Sequence, residues 1–286
     1  MGAPFPGSRP APIGLLARRF RHPRRPRFKG PSFNRMVPNL LTMLGLCAGL
    51  TSIRFAIEGR FGAAAVAIVV AACIDGLDGR IARLLKATSR FGAEFDSLAD
   101  FLCFGVAPAF VLYLWVLQSW HGYGFMPCLM FAVCMALRLA RFNAALDAPH
   151  PAYTYNFFTG VPAPAGAGLA LFPLFLGLEA KWLGVDWLLR VAQFPPFCAA
   201  VLIGTALLLV STLPVWSFKN FKVPAEYVLP LLLGTGLFAA LLVADPWAAL
   251  AAGGIAYLSM LPFSVRSYRR LKREAEEEQV GQQPHP

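Results

Sequence analysis

Eight apolar stretches, each long enough to cross a lipid bilayer as a helix, dominate this sequence. They lie at residues 38–57, 61–86, 94–118, 123–144, 160–180, 194–216, 226–244 and 246–264. A hydrocarbon core about 30 Å thick requires roughly 20 helical residues. Of the 286 residues, only 14% are charged, well below the roughly 25% of soluble domains. The chain is therefore predicted to be an all-α integral membrane protein with about eight transmembrane helices.

The basic residues that flank these stretches predict how the chain is oriented. The first 37 residues carry nine cations and no acid, and further cations follow the second, fourth, sixth and eighth stretches. Loops rich in Lys and Arg stay on the cytoplasmic side of a membrane. We therefore expect a multi-pass protein of the inner (cytoplasmic) membrane of the cell, with both termini in the cytoplasm.

This pattern divides the chain into three parts. We expect residues 1–37 to form a disordered basic cytoplasmic arm in contact with anionic lipid headgroups. Residues 38–264 form the transmembrane domain, and residues 265–286 form a cytoplasmic C-terminal tail that is disordered from residue 274. The charge of the arm would also suit nucleic acid. However, no folded nucleic-acid reader accompanies it, so no nucleic-acid partner is expected.

Four carboxylates lie inside two neighbouring apolar stretches. Asp75 and Asp78 are three residues apart near the end of the second stretch, and Asp96 and Asp100 are four apart near the start of the third. Spacings of three and four place each pair on one helix face. A short connection lets the two faces meet across an antiparallel helical hairpin. The sequence therefore predicts one cluster of four carboxylates.

Such a cluster requires a cation, because a charge inside the membrane costs several kcal/mol unless it is compensated. Mg²⁺ and Mn²⁺ prefer carboxylate oxygens and share them with substrate phosphates. We therefore expect the four aspartates to bind divalent metal, either Mg²⁺ or Mn²⁺. An alternative that the residues leave open is a salt-bridge lattice, in which Asp75 and Asp78 pair with Arg80 and Arg83.

The aspartates belong to a longer pattern of fixed spacing. The pattern D-x2-D-G-x2-A-R-x8-G-x3-D-x3-D is met in full between Asp75 and Asp100. Its small residues let a ligand lie close to the helix backbone, and Arg83 is placed to meet a phosphate or a nucleotide carbonyl. The pattern resembles the signature of the CDP-alcohol phosphatidyltransferases.

This resemblance implies a six-helix catalytic core, a homodimer, and a polar pocket that opens to the cytoplasm and accepts CDP-diacylglycerol as the donor substrate. The first three aspartates of the pattern, here Asp75, Asp78 and Asp96, would bind metals that hold the CDP diphosphate. The fourth, here Asp100, would contribute to the metal site and act as the general base. The residues implied to line the pocket for the CMP moiety are Gly79, Ala82, Arg83 and Gly92.

The start of the first apolar stretch, Pro38-Asn39-Leu40-Leu41-Thr42, also resembles the family. The resemblance implies that Asn39 and Thr42 reach the nucleotide. Both residue types also cap helix N-termini, so capping of the first span remains an open alternative for them.

The acceptor alcohol is indicated by other stretches. Residues 38–60, 138–143 with 158–164, and 210–214 resemble family members that use serine, whereas residues beyond 222 carry no such resemblance. The implied reaction transfers the phosphatidyl group of CDP-diacylglycerol to the hydroxyl of L-serine. A serine site requires a cation for the carboxylate and polar acceptors for the ammonium. Arg138, Arg141 and Asn143 supply this chemistry, although the two arginines would also suit the positive-inside rule.

Two kinds of alternative remain. Within the family, the acceptor could instead be glycerol phosphate, inositol phosphate or choline. Outside it, intramembrane acids often mark the ion paths of cation transporters. A transporter would be expected to carry acids near mid-bilayer on several broken helices, whereas here all four lie on one predicted hairpin.

Overall fold

The chain is almost entirely helical in a computed structural model that describes residues 33–87, 89–145, 157–216 and 225–281. The helices of these residues are α1 (Phe33–Ile57), α2 (Phe61–Leu84), α3 (Arg90–Asp100), α4 (Ala107–Trp115), α5 (Phe125–Ala145), α6 (Ala163–Ala170), α7 (Phe172–Leu183), α8 (Asp186–Ala192), α9 (Pro195–Val210), α10 (Ala225–Ala244) and α11 (Pro246–Gly281). A π-helical turn (Phe101–Val106) joins α3 to α4, and a 3₁₀ segment (Leu117–Gly124) precedes α5. Two short strands, β1 (Phe157–Thr159) and β2 (Pro214–Trp216), pair with each other.

The described residues contain five to seven membrane spans. Five segments are long and apolar enough to cross a membrane singly: Met36–Ile57, Phe61–Leu84, Arg90–Trp115, Leu117–Ala144 and Pro246–Tyr268. The bent pairs α6–α7 and α8–α9 raise the number to seven if each pair is one span. The predicted multi-pass helical fold is confirmed. The seventh predicted span corresponds to Val228–Ala244 in α10, which is apolar but shorter than the others, and the eighth corresponds to Pro246–Tyr268 in α11.

Prolines account for the two bends. The α6–α7 pair bends by 46° just before Pro173, and the α8–α9 pair bends by 53° where Pro195 and Pro196 begin α9. Proline lacks a backbone N–H, and its ring collides with the preceding turn of a helix. Each pair is therefore one continuous apolar segment in the sequence but two separate helices in the structure.

Both ends of the predicted transmembrane domain are helical beyond their predicted limits. Helix α1 begins at Phe33, inside the predicted arm, and α11 continues to Gly281, through most of the predicted tail. The tail segment is rich in Arg, Lys and Glu, which are strong helix formers, so the disorder expected from residue 274 does not begin there. Residues 1–32, the rest of the predicted arm, lie outside the described residues.

The packing around the π-helical turn positions the candidate site. Pro108 has no N–H to donate, and the Ala107 N–H bonds to the Leu102 carbonyl, five residues back. The wider turn directs Cys103 into the core beside α1, where a methyl group on Gly49 would lie only 2.5 Å from the Cys103 sulfur. Helices α1, α2 and α3 are thereby held in close contact around the carboxylates.

The β1–β2 ribbon joins two loops that are distant in sequence. Phe158 pairs with Val215 in an antiparallel register, and the Gly160 N–H continues the pairing with a 2.8 Å bond to the Leu213 carbonyl. Gly160 has a φ of +80°, a conformation that favours glycine. A side chain there would also lie 2.9 Å from the Leu209 carbonyl oxygen. The loop after α5 is therefore held against the end of α9.

Candidate active site

Three of the four predicted aspartates converge. One carboxylate oxygen each from Asp75, Asp78 and Asp96 lies within 4.8 Å of the other two. The first two stand on α2 and the third on α3, so the hairpin predicted from their spacing brings them together. Oxygens that share one Mg²⁺ at about 2.1 Å lie within roughly 4.2 Å of one another. The trio is therefore close to ligand spacing and fits a divalent ion.

Asp78 is the most buried carboxylate of the trio. It is 4% exposed, and the Thr42 hydroxyl of α1 donates a 2.7 Å hydrogen bond to its Oδ2 atom. Thr42 and Asn39 both lie inside α1, which begins at Phe33, so the capping alternative for these two residues is wrong. The Thr42 bond instead fixes one oxygen of Asp78.

Asp100 lies next to the trio but outside it. Its carboxyl group is within hydrogen-bonding distance of Asp75, and the four aspartates line one narrow cavity of about 10 Å³. That volume is close to the space that a single water-sized sphere needs. Asp100 therefore adjoins the three converging carboxylates, and its predicted place in the metal site stays a prediction.

The salt-bridge lattice is not formed. Among the described residues, neither Arg80 nor Arg83 makes an ion pair with an aspartate of the cluster, and both arginines are exposed. Arg138 on α5 is the cation within electrostatic reach of Asp75 and Asp100. The trio is therefore left with its carboxylate charge available to a metal.

A pocket of about 180 Å³ opens beside the trio. Its walls come from the start of α1, the end of α2 and the start of α3. The lining residues are Pro38, Asn39, Thr42, Asp78, Gly79, Ala82, Ala87, Ser89, Gly92, Ala93 and Asp96. Five of the six residues predicted to contact the nucleotide are among them. Arg83 is the exception, because its side chain is exposed and does not line the pocket.

The two glycines of the pocket differ in what surrounds them. A methyl group on Gly79 would meet nothing within 4 Å, so the glycine leaves open space in the pocket. A methyl group on Gly92 would lie 3.0 Å from Oδ1 of Asn39 and 3.1 Å from the Ser89 hydroxyl oxygen. Gly92 therefore permits α3 to approach α1, whereas Gly79 keeps room for a ligand.

Some lining residues were missed in the sequence. Ser89 is one of them, and its hydroxyl accepts a 3.0 Å bond from the Gly92 N–H as the N-cap of α3. A serine directly before a helical pattern is a recognisable capping signal, so Ser89 could have been found. The small residues Ala87 and Ala93 carry no comparable signal.

The two arginines predicted for serine have different surroundings. The Arg138 Nε donates to the Val161 carbonyl and its guanidinium is partly buried near Asp100. The Arg141 Nη1 and Nη2 donate to the carbonyls of Val210 and Ser211, at 2.8 and 3.1 Å. Arg141 thus caps the C-terminus of α9, where cations are favourable. Neither arginine acts only as a topological charge.

Asn143 connects α5 to α3. Its Nδ2 donates a 3.0 Å hydrogen bond to the Ser97 hydroxyl oxygen, and that hydroxyl also bonds the Ala93 carbonyl. Ser97 directly follows Asp96 in α3, so the Asn143 amide is bonded to the residue next to one member of the carboxylate trio. Asn143 and Arg138 therefore approach the cluster from the same helix.

Two family models match the chain. The model described as CDP-alcohol phosphatidyltransferase matches residues 35–194, and the model described as CDP-alcohol phosphatidyltransferase 2 matches residues 226–262. The first covers all four aspartates and the whole pocket. The second covers α10 and the first part of α11, where the sequence motifs indicated no resemblance.

Curated relatives are similar over most of the chain. A protein of Mycobacterium tuberculosis named CDP-diacylglycerol–serine O-phosphatidyltransferase is 43% identical over 84% of this chain and 82% of its own. A Helicobacter pylori protein of the same name is 36% identical over 65% of this chain and 74% of its own. An archaetidylserine synthase of Methanothermobacter thermautotrophicus is 35% identical over 46% of this chain and 54% of its own.

Proposed function

The chain belongs to the CDP-alcohol phosphatidyltransferase family, and on that premise we propose that it transfers the phosphatidyl group of CDP-diacylglycerol to the hydroxyl of L-serine, giving phosphatidylserine and CMP. One structural observation carries the proposal: Asp78 and Asp96 line both the carboxylate cavity and the adjoining pocket. A ligand in that pocket would meet the carboxylates directly.

The pocket suits the nucleotide end of the donor. It lies between three helices and is lined largely by small residues, including Gly79 and Ala82, so that a flat ligand can lie against the backbone. Asn39 offers an amide at its edge. With the nucleotide there, the diphosphate would lie at the Asp78 and Asp96 end.

The metal would be held by Asp75, Asp78 and Asp96, and we propose Mg²⁺ or Mn²⁺ because all three ligands are carboxylates. Such an ion, when bound, supplies positive charge that offsets the charge of the diphosphate and of the departing CMP. The chain holds the three carboxylates at near-ligand spacing, and Thr42 keeps Asp78 in one orientation.

Asp100 is proposed as the general base. The serine hydroxyl oxygen forms a bond to the β-phosphorus, the bond from that phosphorus to the CMP oxygen breaks, and the hydroxyl proton passes to the Asp100 carboxylate. Asp100 suits this role because it lies beside Asp75 but outside the metal trio. The resemblance also gives Asp100 a part in the metal site, and the proposal keeps that role.

Serine would be recognised from α5. Arg138 offers a guanidinium for the serine carboxylate near Asp100, and Asn143 offers an amide that bonds to Ser97, the residue after Asp96. Arg141 belongs to the predicted serine set as well. Because its two terminal nitrogens bond the end of α9, we propose that it positions the loop around the site.

Two further proposals concern the setting of the enzyme. We propose that the protein lies in the inner (cytoplasmic) membrane with both termini in the cytoplasm, since cations cluster at one side of the spans. We also propose that it is a homodimer, as the family resemblance implies. In this orientation the carboxylates and the pocket face the cytoplasm, where serine and CMP are soluble.

The identity of the acceptor is tested by supplying each candidate alcohol separately. Purified protein in detergent, supplied with CDP-dioleoylglycerol and metal, is given labelled serine, glycerol 3-phosphate, inositol phosphate or choline. We expect phosphatidylserine and an equal amount of CMP with serine alone. Incorporation of another alcohol at a higher rate would replace serine as the acceptor. Cation uptake by the protein reconstituted into sealed liposomes, without CMP release, would instead favour the transporter alternative.

A further inference from the structure

An apolar groove of about 390 Å³ lies in the membrane-spanning part of the molecule, next to the carboxylate cavity. Helices α2, α6, α7, α10 and α11 contribute to its walls, with apolar side chains such as Ile68, Leu169 and Phe238. Phe104, in the π-helical turn, lines both this groove and the cavity of the aspartates. A molecule in the groove would therefore lie one side chain away from the reaction site.

One polar group in this groove lacks a partner. The Tyr257 hydroxyl of α11 is buried and makes no hydrogen bond to any described residue. It lies within electrostatic reach of Arg138, and Arg138 in turn lies within electrostatic reach of Asp100. A buried hydroxyl without a partner costs free energy, so buried polar groups are normally bonded. The hydroxyl is thus available to a polar atom of a bound molecule.

We infer that the groove holds one acyl chain of CDP-diacylglycerol and that the Tyr257 hydroxyl donates a hydrogen bond to the ester carbonyl of that chain. The inference rests on the proposed function. An acyl ester combines a long apolar chain with one carbonyl only a few bonds from the phosphate. The groove offers the matching arrangement, an apolar wall with one hydroxyl that lies within electrostatic reach of Arg138.

This contact would make Tyr257 a residue that determines donor specificity. An ether-linked chain fills the same groove but has no carbonyl to accept the bond. The chain should therefore prefer ester-linked to ether-linked CDP-lipids, and the preference should depend on the hydroxyl. The residue touches the lipid part of the donor and takes no part in proton transfer.

A second apolar groove provides a matched control. It has a volume of about 420 Å³ and is lined by residues of α6, α7, α9 and α11. Its hydroxyl, that of Thr205, already donates a 2.8 Å bond to the Val201 carbonyl. This groove shares no lining residue with the carboxylate cavity, so we assign it no role in donor binding.

The first test compares ester and ether donors in Tyr257→Phe. The variant should raise KM for CDP-dioleoylglycerol by roughly fivefold, the effect of one lost hydrogen bond, and leave KM for the dialkyl ether analogue unchanged. Tyr113→Phe, whose ring packs edge-on against Phe125, should change neither value. An equal effect of Tyr257→Phe on both donors, or no effect, would overturn the inference.

The second test measures occupancy of the groove without turnover. Cys73 is exposed and lines the groove, whereas Cys47 is exposed on α1 away from it. CDP-dioleoylglycerol should slow alkylation of Cys73 by N-ethylmaleimide, with Cys47 unaffected and CDP alone without effect. Equal alkylation of Cys73 with and without the lipid would overturn the inference, even if the protein still makes phosphatidylserine.

A variant that fills the groove with a larger side chain tests the role of the groove separately from the proposed reaction. Gly168 lines the groove with nothing within 4 Å of its potential Cβ, and Gly204 lines the second groove with equal space. Gly168→Leu should raise KM for the ester donor and abolish protection of Cys73, whereas Gly204→Leu should do neither. Equal effects of the two variants would contradict the assignment. Absence of phosphatidylserine in the wild type would count against the proposed function instead.

Discussion

The Thr42 hydroxyl and the Asp78 carboxylate are joined by a 2.7 Å hydrogen bond that links α1 to α2 at the most buried position of the metal trio. Thr42 also bonds its own helix, at the Pro38 carbonyl. One carboxylate oxygen of Asp78 is thus fixed by the protein. The orientation of the Asp78 side chain therefore depends on α1, a helix that contributes none of the three clustered carboxylates.

Loss of this bond should weaken catalysis without removing a metal ligand. Hydrogen bonds to charged groups are worth about 1.5–3 kcal/mol, so Thr42→Val should lower kcat/KM roughly ten- to a hundredfold and raise the metal concentration needed for half-maximal rate. The measurement is a metal titration of serine incorporation. Thr51→Val, which removes an exposed hydroxyl bonded to the Cys47 carbonyl, is the control and should behave as wild type. A Thr42→Val enzyme with normal metal dependence would contradict this role.

The open space beside Gly79 should be needed by the donor. Gly79→Ala adds a methyl group that clashes with no protein atom but occupies part of the pocket, so it should raise the Kd for CDP-dioleoylglycerol by about tenfold, equivalent to 1.4 kcal/mol. Gly76→Ala, three residues earlier on α2 and equally unobstructed, lies outside the pocket and should bind normally. Thermal unfolding of both variants should match or exceed wild type, since alanine favours the helix. Identical donor binding by the two variants would argue against a nucleotide in this pocket.

Asp100→Asn should abolish turnover while leaving donor binding measurable. The amide keeps the shape of the side chain but cannot take the serine proton, and general bases contribute about 10²–10⁴-fold to rates. Single-turnover formation of CMP in the presence of serine measures the loss, and equilibrium binding of CDP-dioleoylglycerol measures what is retained. Asp186→Asn, outside the cluster on α8, is the control. Near-normal turnover by Asp100→Asn would refute the assignment of the base.

Arg141 should contribute more to stability than to serine affinity. Arg141→Ala removes two hydrogen bonds to the end of α9 and leaves those carbonyls without this partner, which should destabilise the fold by about 1–3 kcal/mol. Thermal unfolding in detergent should show a lower Tm, whereas Arg190→Ala, an exposed arginine on α8, should not. An unchanged Tm combined with a large rise in KM for serine would identify Arg141 as a direct serine ligand.

Much of the site could be predicted because its residues are close in sequence and periodic. The four aspartates lie within a segment of 26 residues, and spacings of three and four place each pair on one helix face. The convergence of Asp75, Asp78 and Asp96 needed only a hairpin. Whether Asp100 joins the metal set depends on side-chain positions within a few ångströms, which spacing does not determine.

Other features depend on contacts between distant segments, which periodicity does not report. The bond from Thr42 to Asp78 spans 36 positions, and the Arg141 contact with Ser211 spans 70. In the sequence Tyr257 is one more aromatic residue in an apolar stretch, and only the fold brings it within electrostatic reach of Arg138. The predicted role of Arg83 stays a prediction, because its side chain is exposed and is not among the residues that line the pocket.

Metal dependence of phosphatidylserine formation tests the central role of Asp75, Asp78 and Asp96 most directly. Purified protein is stripped of divalent ions with a chelator and assayed with CDP-dioleoylglycerol and labelled serine, before and after Mg²⁺ or Mn²⁺ is added back. We predict that the stripped enzyme releases no CMP, that added metal restores the rate, and that Asp78→Asn is not restored. Full activity after stripping, or equal restoration of the Asp78→Asn variant, would contradict the account.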